Sequence, residues 1–194
     1  MILGAFRRSD PVRNIQGLYG AIVAQARSPI FYLHYGVSDT VEGRFELIVL
    51  HLMLVLRQLG AKEAAASANP PLPGPGSAVG QRLFDVFCHD LDDNLREMGV
   101  GDLAVPRRMR QFGEAFYGRQ AAYAAALGAT DPQELEKTLA RNILGPVVPG
   151  EKKAAALARY VRAATAQLAT QPEDALIAGR VVFPSPEAFV DART

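Results

Sequence analysis

The sequence contains no tryptophan, one cysteine and three histidines in 194 residues. A lone thiol, Cys88, excludes an intramolecular disulfide and any all-cysteine zinc site. It fits a reducing compartment. Long hydrophobic runs are missing too. The longest, Phe45 to Leu56, is interrupted by Glu46 and His51 and spans 12 residues, whereas a bilayer-spanning helix needs about 20. An excess of one charge is also missing. Lys and Arg number 21 against 20 Asp and Glu, a net charge of +1. Proteins that coat nucleic acid carry a larger positive excess, so DNA is not an expected partner. Met1 to Arg8 has no apolar core after a basic start, and no signal peptide is expected. Phosphate-binding loops, dinucleotide fingerprints and nucleophile elbows are absent as motifs. These absences predict a cytoplasmic protein that uses no catalytic residues, metal or cofactor.

What is present favours helices. Alanine is abundant, and it loses no side-chain entropy on entering a helix. Ile15, Leu18, Ile22 and Ala26 recur at helical spacing within residues 11–28, with Asp10 as cap and Pro11 at the first helical position. The aromatic cluster Phe31, Tyr32, Tyr35 follows and stops at Gly36. Residues 40–59 form the most apolar helix. It is greasy on several faces, as in the centre of a bundle, and is expected to stop at Gly60. Residues 67–77 hold four prolines and two glycines, so they read as an exposed linker within one domain. An amphipathic helix over 79–98 places Phe84, Phe87, Leu91, Leu95 and Met98 on one face. Further helices are expected over 105–127, from Asp131 to about Leu144, and over 151–169. Asp131 caps the second of these. Val181 to Phe183 reads as a short strand or extended segment. The expected fold is all-α, one helical bundle of about six to eight helices spanning residues 1–194.

The candidate chemistry is sparse. Asp85, His89 and Asp93 share one helix face at steps of four, a pattern more typical of a solvated charged face than of a metal site. His51 lies inside the apolar helix and reads as a core histidine bonded to a neighbouring helix. Cys88 reads as a packed thiol. Charge is unevenly spread: residues 81–102 carry −4 and residues 105–119 carry +3. The second stretch includes Arg107, Arg108 and Arg110, a candidate docking surface for the ribosome or an anionic membrane.

Two segments carry a family resemblance. The first holds Ala26-Arg27-Ser28-Pro29-Ile30-Phe31-Tyr32 and Asp39-Thr40-Val41-Glu42-Gly43-Arg44-Phe45-Glu46-Leu47, leading to His51. The second runs Asp90-Leu91-Asp92-Asp93-Asn94-Leu95-Arg96-Glu97-Met98-Gly99-Val100-Gly101-Asp102-Leu103, followed by Ala115-Phe116-Tyr117-Gly118-Arg119. Together they resemble the ubiquinol–cytochrome c chaperone family of mitochondria and related bacteria, over roughly residues 15–130. The 67–77 stretch and His89 depart from the family pattern.

The resemblance implies a largely helical assembly factor for respiratory complex III. Mitochondrial members act with a small partner protein near the ribosomal exit tunnel and receive newly made cytochrome b. A similar protein here is expected to hold nascent cytochrome b, with a peripheral position at the inner membrane as one location. Reversible holding of a membrane helix calls for an apolar groove. The expected walls are Phe31, Tyr32 and Tyr35 together with parts of the 40–59 helix. The expected polar rim is Asp39, Arg44, Glu46, Asp92, Arg96, Glu97, Asp102 and Arg119, residues that could equally form an internal salt-bridge network. The alternative is a haem- or quinone-handling protein of the same pathway, with His51 and either His34 or His89 as ligands.

Overall fold

The computed structural model describes residues 11–66, 78–145 and 151–190. The Asp10 cap and the 67–77 linker lie outside these residues. The helices are α1 (Pro11–Ala26), α2 (Pro29–Leu33), α3 (Val41–Ala66), α4 (Ala78–Glu97), α5 (Val105–Gly128), α6 (Gln133–Leu139), α7 (Glu151–Thr170) and α8 (Glu173–Ile177). A π-helical turn, Ala140–Leu144, prolongs α6, and a 3-10 turn, Pro186–Phe189, lies near the end. Among the described residues there is no strand, and no helix is long and apolar enough to cross a membrane.

Helix α3 is the axis of the bundle, packed by α1, α4, α7 and the π turn. Every residue from Val49 to Leu56 is buried, which explains why its apolar residues are not confined to one stripe. It runs through Gly60 to Ala66 instead of stopping. A mid-helix glycine costs only about 1 kcal/mol relative to alanine, which packing against the bundle outweighs. The stripe expected on α1 is the observed one: Ile15, Leu18, Ile22 and Ala26 are all buried. On α4 the buried face is rotated from the expected one. Gly80, Leu83 and Phe87 point inward, Phe84, Leu91 and Leu95 are half-buried, and Met98 is 58% exposed.

The loop entering α3 is set by three neighbours in sequence. Thr40 accepts the Gly43 N–H through its hydroxyl at 3.1 Å, a side-chain cap. Asp39 pairs with Arg44 across the turn at 2.6 Å. Gly43 is where the Ser38 carbonyl crosses the helix, and a Cβ there would lie 2.0 Å from that oxygen. Gly43→Ala is therefore expected to force the loop outward and destabilise the protein by roughly 1–3 kcal/mol. Thr40→Ala is expected to cost about 1 kcal/mol. Urea titration of both variants checks the order, with Gly43→Ala the worse.

The other termini use equally local devices. Gly99, with φ +82, ends α4 in a Schellman motif: the Gly99 N–H reaches the Arg96 carbonyl and the Val100 N–H reaches Leu95. Asp131 accepts the Gln133 N–H at 2.9 Å, the expected cap of α6.

The last segment is extended but unpaired as a strand. Gln171 substitutes for a neighbouring strand: its side-chain oxygen accepts the Val182 N–H at 2.9 Å and its amide donates to the Val182 carbonyl at 2.7 Å. Gln25 donates to the Pro184 carbonyl and Tyr35 to the Pro186 carbonyl. This strap closes the bundle over an aromatic cluster of Phe31, Tyr35, His51, Tyr160 and Phe183.

Candidate functional site

The aromatic groove expected from the sequence divides in the structure. Phe31 and Tyr35 are completely buried. Phe31 stacks edge-on against His51 and Tyr160. Burial pushes the Tyr35 hydroxyl up to about 12, and that hydroxyl donates to Pro186 at 2.6 Å. These two residues are core, not groove walls open to solvent. Helical spacing could not show this, because the strap that covers them comes from the far end of the chain.

Tyr32 is different. It sits on the outer side of the short helix α2, in a pocket of about 250 Å³ lined by Arg27, Pro29, Tyr32, Leu33, Asp39 and Arg44. Its hydroxyl donates to the Ala26 carbonyl at the end of α1 at 2.9 Å, which fixes the ring. The Arg44 guanidinium lies 6.0 Å from the ring centroid, within reach of a cation–π contact. The Arg44 bond holds the Asp39 carboxyl below its ordinary range. Leu33 is 72% exposed on the rim. The pocket therefore offers an apolar and aromatic floor with two guanidinium groups and one carboxylate at its edge. Tyr32, Asp39 and Arg44 were legible as candidates. Arg27, Pro29 and Leu33 were not, although Arg27 and Pro29 belong to the same motif string.

The remaining rim candidates other than Glu97 pair internally. Glu46 on α3 bonds Arg119 on α5 at 2.5 Å, and both side chains are largely buried. The second carboxylate oxygen of Glu46 and Nε of Arg119 have no partner among the described residues. Burial raises the Glu46 carboxyl, with Arg119 opposing the shift. Arg96 bonds Asp92 at 2.7 Å and also Asp102, tying the end of α4 to the turn after Gly99. Glu97 is exposed on the same end. Arg107, Arg108 and Arg110 are exposed in the first turns of α5.

The histidines follow the core and surface readings. His51 has both ring nitrogens engaged: Nδ1 with the Leu47 carbonyl at 2.7 Å and Nε2 with the Tyr160 hydroxyl at 2.7 Å. The carbonyl can only accept, so Nδ1 carries the proton and Nε2 accepts from Tyr160. Gln25 in turn donates to the Tyr160 oxygen at 3.0 Å. This saturated network leaves no lone pair for a haem iron. His34 and His89 are exposed, and His89 lies 3.6 Å from Asp93. Asp85 accepts from Gln81. Among the described residues, no group of three or more His, Cys, Asp or Glu is placed to hold a metal ion. Burial, with Asp85 adding to it, pushes the Cys88 thiol up to about 11, which keeps it protonated and a poor nucleophile at neutral pH.

The fold and its pocket thus define an all-helical domain whose accessible features are suited to holding another molecule. The family model for ubiquinol–cytochrome c chaperones matches residues 33–183, and the chain belongs to that family. The crystal structure of the Cbp3 homolog from Brucella abortus matches with a TM-score of 0.78 at 36% identity, covering 98% of this chain and 100% of that one. No curated protein sequence matches the chain.

Proposed function

We propose that the protein is a chaperone in the assembly of respiratory complex III that holds newly made cytochrome b, and that it catalyses no reaction. Membership of the ubiquinol–cytochrome c chaperone family carries the first part. The pocket beside α2 supports the second. Its lining joins the ring of Tyr32 to exposed Leu33 on the rim, with Arg27 and Arg44 beside them. A membrane helix leaving the ribosome presents apolar side chains that must be covered until it is folded. An exposed apolar surface with a charged rim binds such a segment while remaining soluble when empty. The carboxylate of Asp39 already engages Arg44, so an acidic group of the client could exchange with it at small cost, since exposed ion pairs contribute only about 0–1 kcal/mol. That exchange is readily reversed, so the charged rim does not hold the client irreversibly.

Affinity capture from cells translating cytochrome b tests this reading. Wild-type protein is expected to retain cytochrome b. Leu33→Asp, an exposed position whose change leaves the core intact, is expected to retain it at least tenfold less. Equal recovery with both proteins would show that the pocket is not where the client is held. No recovery of a cytochrome b whose synthesis is confirmed would remove the client.

A further inference from the structure

The charge of the α2 pocket is not balanced. Arg27, just past the end of α1, and Arg44, in the first turn of α3, both line it, and Asp39 is the one acid among the lining residues. Burial raises the Tyr32 hydroxyl, while Arg44 opposes the rise, Asp39 adds to it and Arg27 opposes it. All three charges therefore lie within electrostatic reach of one ring. Glu42 on α3 and Asp90 on α4 lie outside the lining, and Asp90 accepts from the Tyr19 hydroxyl at 2.7 Å. The pairing inside the pocket uses little of what it offers. Arg44 bonds Asp39 through Nε at 2.6 Å. Among the described residues no second carboxylate pairs with Arg44, and none pairs with Arg27. A guanidinium carries five donors in a planar fork, and its strongest bond to a carboxylate is the bidentate one. Asp39 and Arg44 are each 55% exposed, so an incoming group reaches them directly from solvent.

We propose that Arg27 and Arg44 form a clamp for a carboxylate, and that Asp39 is its internal placeholder. The pocket then selects apolar peptide segments that carry an Asp or Glu beside their apolar side chains. This rests on the reading of the pocket as the seat of the client. The apolar side chains meet the Tyr32 ring and exposed Leu33. An acid covered along with them loses water, which is costly unless a partner replaces it. Two guanidiniums against one internal carboxylate leave a positive charge to serve as that partner. A carboxylate is the matched group, because the one it displaces from Arg44 is itself a carboxylate. Asp39 thus competes with every client acid, and the competition favours segments whose apolar part also fits.

Fluorescence anisotropy of the full chain with two labelled peptides tests this. One is a short leucine-rich peptide with a single glutamate, and the other has glutamine in its place. The glutamate peptide is expected to bind about fivefold tighter, the effect of one well-formed exposed pair, with the preference shrinking as salt is raised. Arg27→Gln and Arg44→Gln are each expected to remove most of that preference. Asp39→Asn is expected to widen it about twofold to threefold by removing the competitor. All three positions are exposed, so unchanged circular dichroism and melting temperature separate altered binding from lost fold. Equal affinity for the two peptides, both weakened by Leu33→Asp, would overturn the clamp and leave the pocket in place. Binding that Leu33→Asp does not weaken, or no binding of either peptide, would overturn the clamp and the pocket together. An unchanged preference in Asp39→Asn would overturn the placeholder. Displacement of the glutamate peptide by inorganic phosphate at concentrations where acetate has no effect would overturn the carboxylate assignment and give the arginines to phosphate groups.

Discussion

Replacing Glu46 with alanine is expected to destabilise the protein by about 3 kcal/mol, the lower end of the range for breaking a buried ion pair. The lower end applies because Arg119 keeps 27% of its side-chain exposure and can recover some hydration. The larger part of the loss comes from Arg119, left as a poorly solvated cation whose Nε already has no partner among the described residues. For a chain of this length the melting temperature should fall by roughly 10 °C. The pair itself is a weak source of stability. Burial raises the Glu46 carboxyl even with Arg119 beside it, so desolvation outweighs the attraction. Replacing both residues with leucine is accordingly expected to restore most of the stability lost in Glu46→Ala. A double variant as unstable as the single one would show that the pair contributes net energy, not only geometry.

The second large effect is the response to acid. Complete burial pushes the His51 pKa down from 6.5 to about 4, the Leu47 carbonyl opposing only in part. Above pH 6.5 the ring is neutral in both folded and unfolded chains, and the group makes no difference. Between pH 6.5 and about 4 the unfolded chain takes up a proton that the folded one refuses. Stability is therefore lost as the pH falls through that window, at about 1.4 kcal/mol for each pH unit and about 3 kcal/mol across the whole of it. His51→Gln is expected to be less stable at neutral pH, because Gln cannot rebuild the Leu47–Tyr160 bridge, yet to lose less stability between pH 6.5 and 4. Urea midpoints measured across that range check the difference in slope. Parallel profiles for the two proteins would show that His51 takes up its proton as readily in the folded chain as in the unfolded one.

Local signals in the sequence carried the helices well and the long-range packing poorly. The α1 stripe and the Asp131 cap depend on residues within a turn or two, and both appear as expected. The short helix α2 was missed because Ser28-Pro29 reads as a stop, yet proline is also well suited to the first turn of a new helix. The burial of Phe31 and Tyr35 depends on Pro186, 151 residues beyond Tyr35, and no periodicity in the segment records that. The motif Asp39 to Arg44 was visible as a family string. Its physical content became clear only in three dimensions, where Thr40 caps, Gly43 admits the Ser38 carbonyl, and Asp39 and Arg44 meet across the turn. Glu46 and Arg119 were likewise both legible as polar candidates, but their pairing across 73 residues was not. One expected rim thus becomes three places: a pocket, a buried pair and the end of α4.

The α2 pocket is the proposed seat of nascent cytochrome b, and crosslinking tests that most directly. A photo-activatable side chain is placed at Leu33, and separately at exposed Lys137 on α6, in cells making radiolabelled cytochrome b. A crosslink to cytochrome b is expected from position 33 and little or none from position 137, with the position-33 product reduced when Arg44 is changed to Glu. Equal crosslinking from both positions, or none from position 33 while cytochrome b is being made, would contradict the assignment of the pocket.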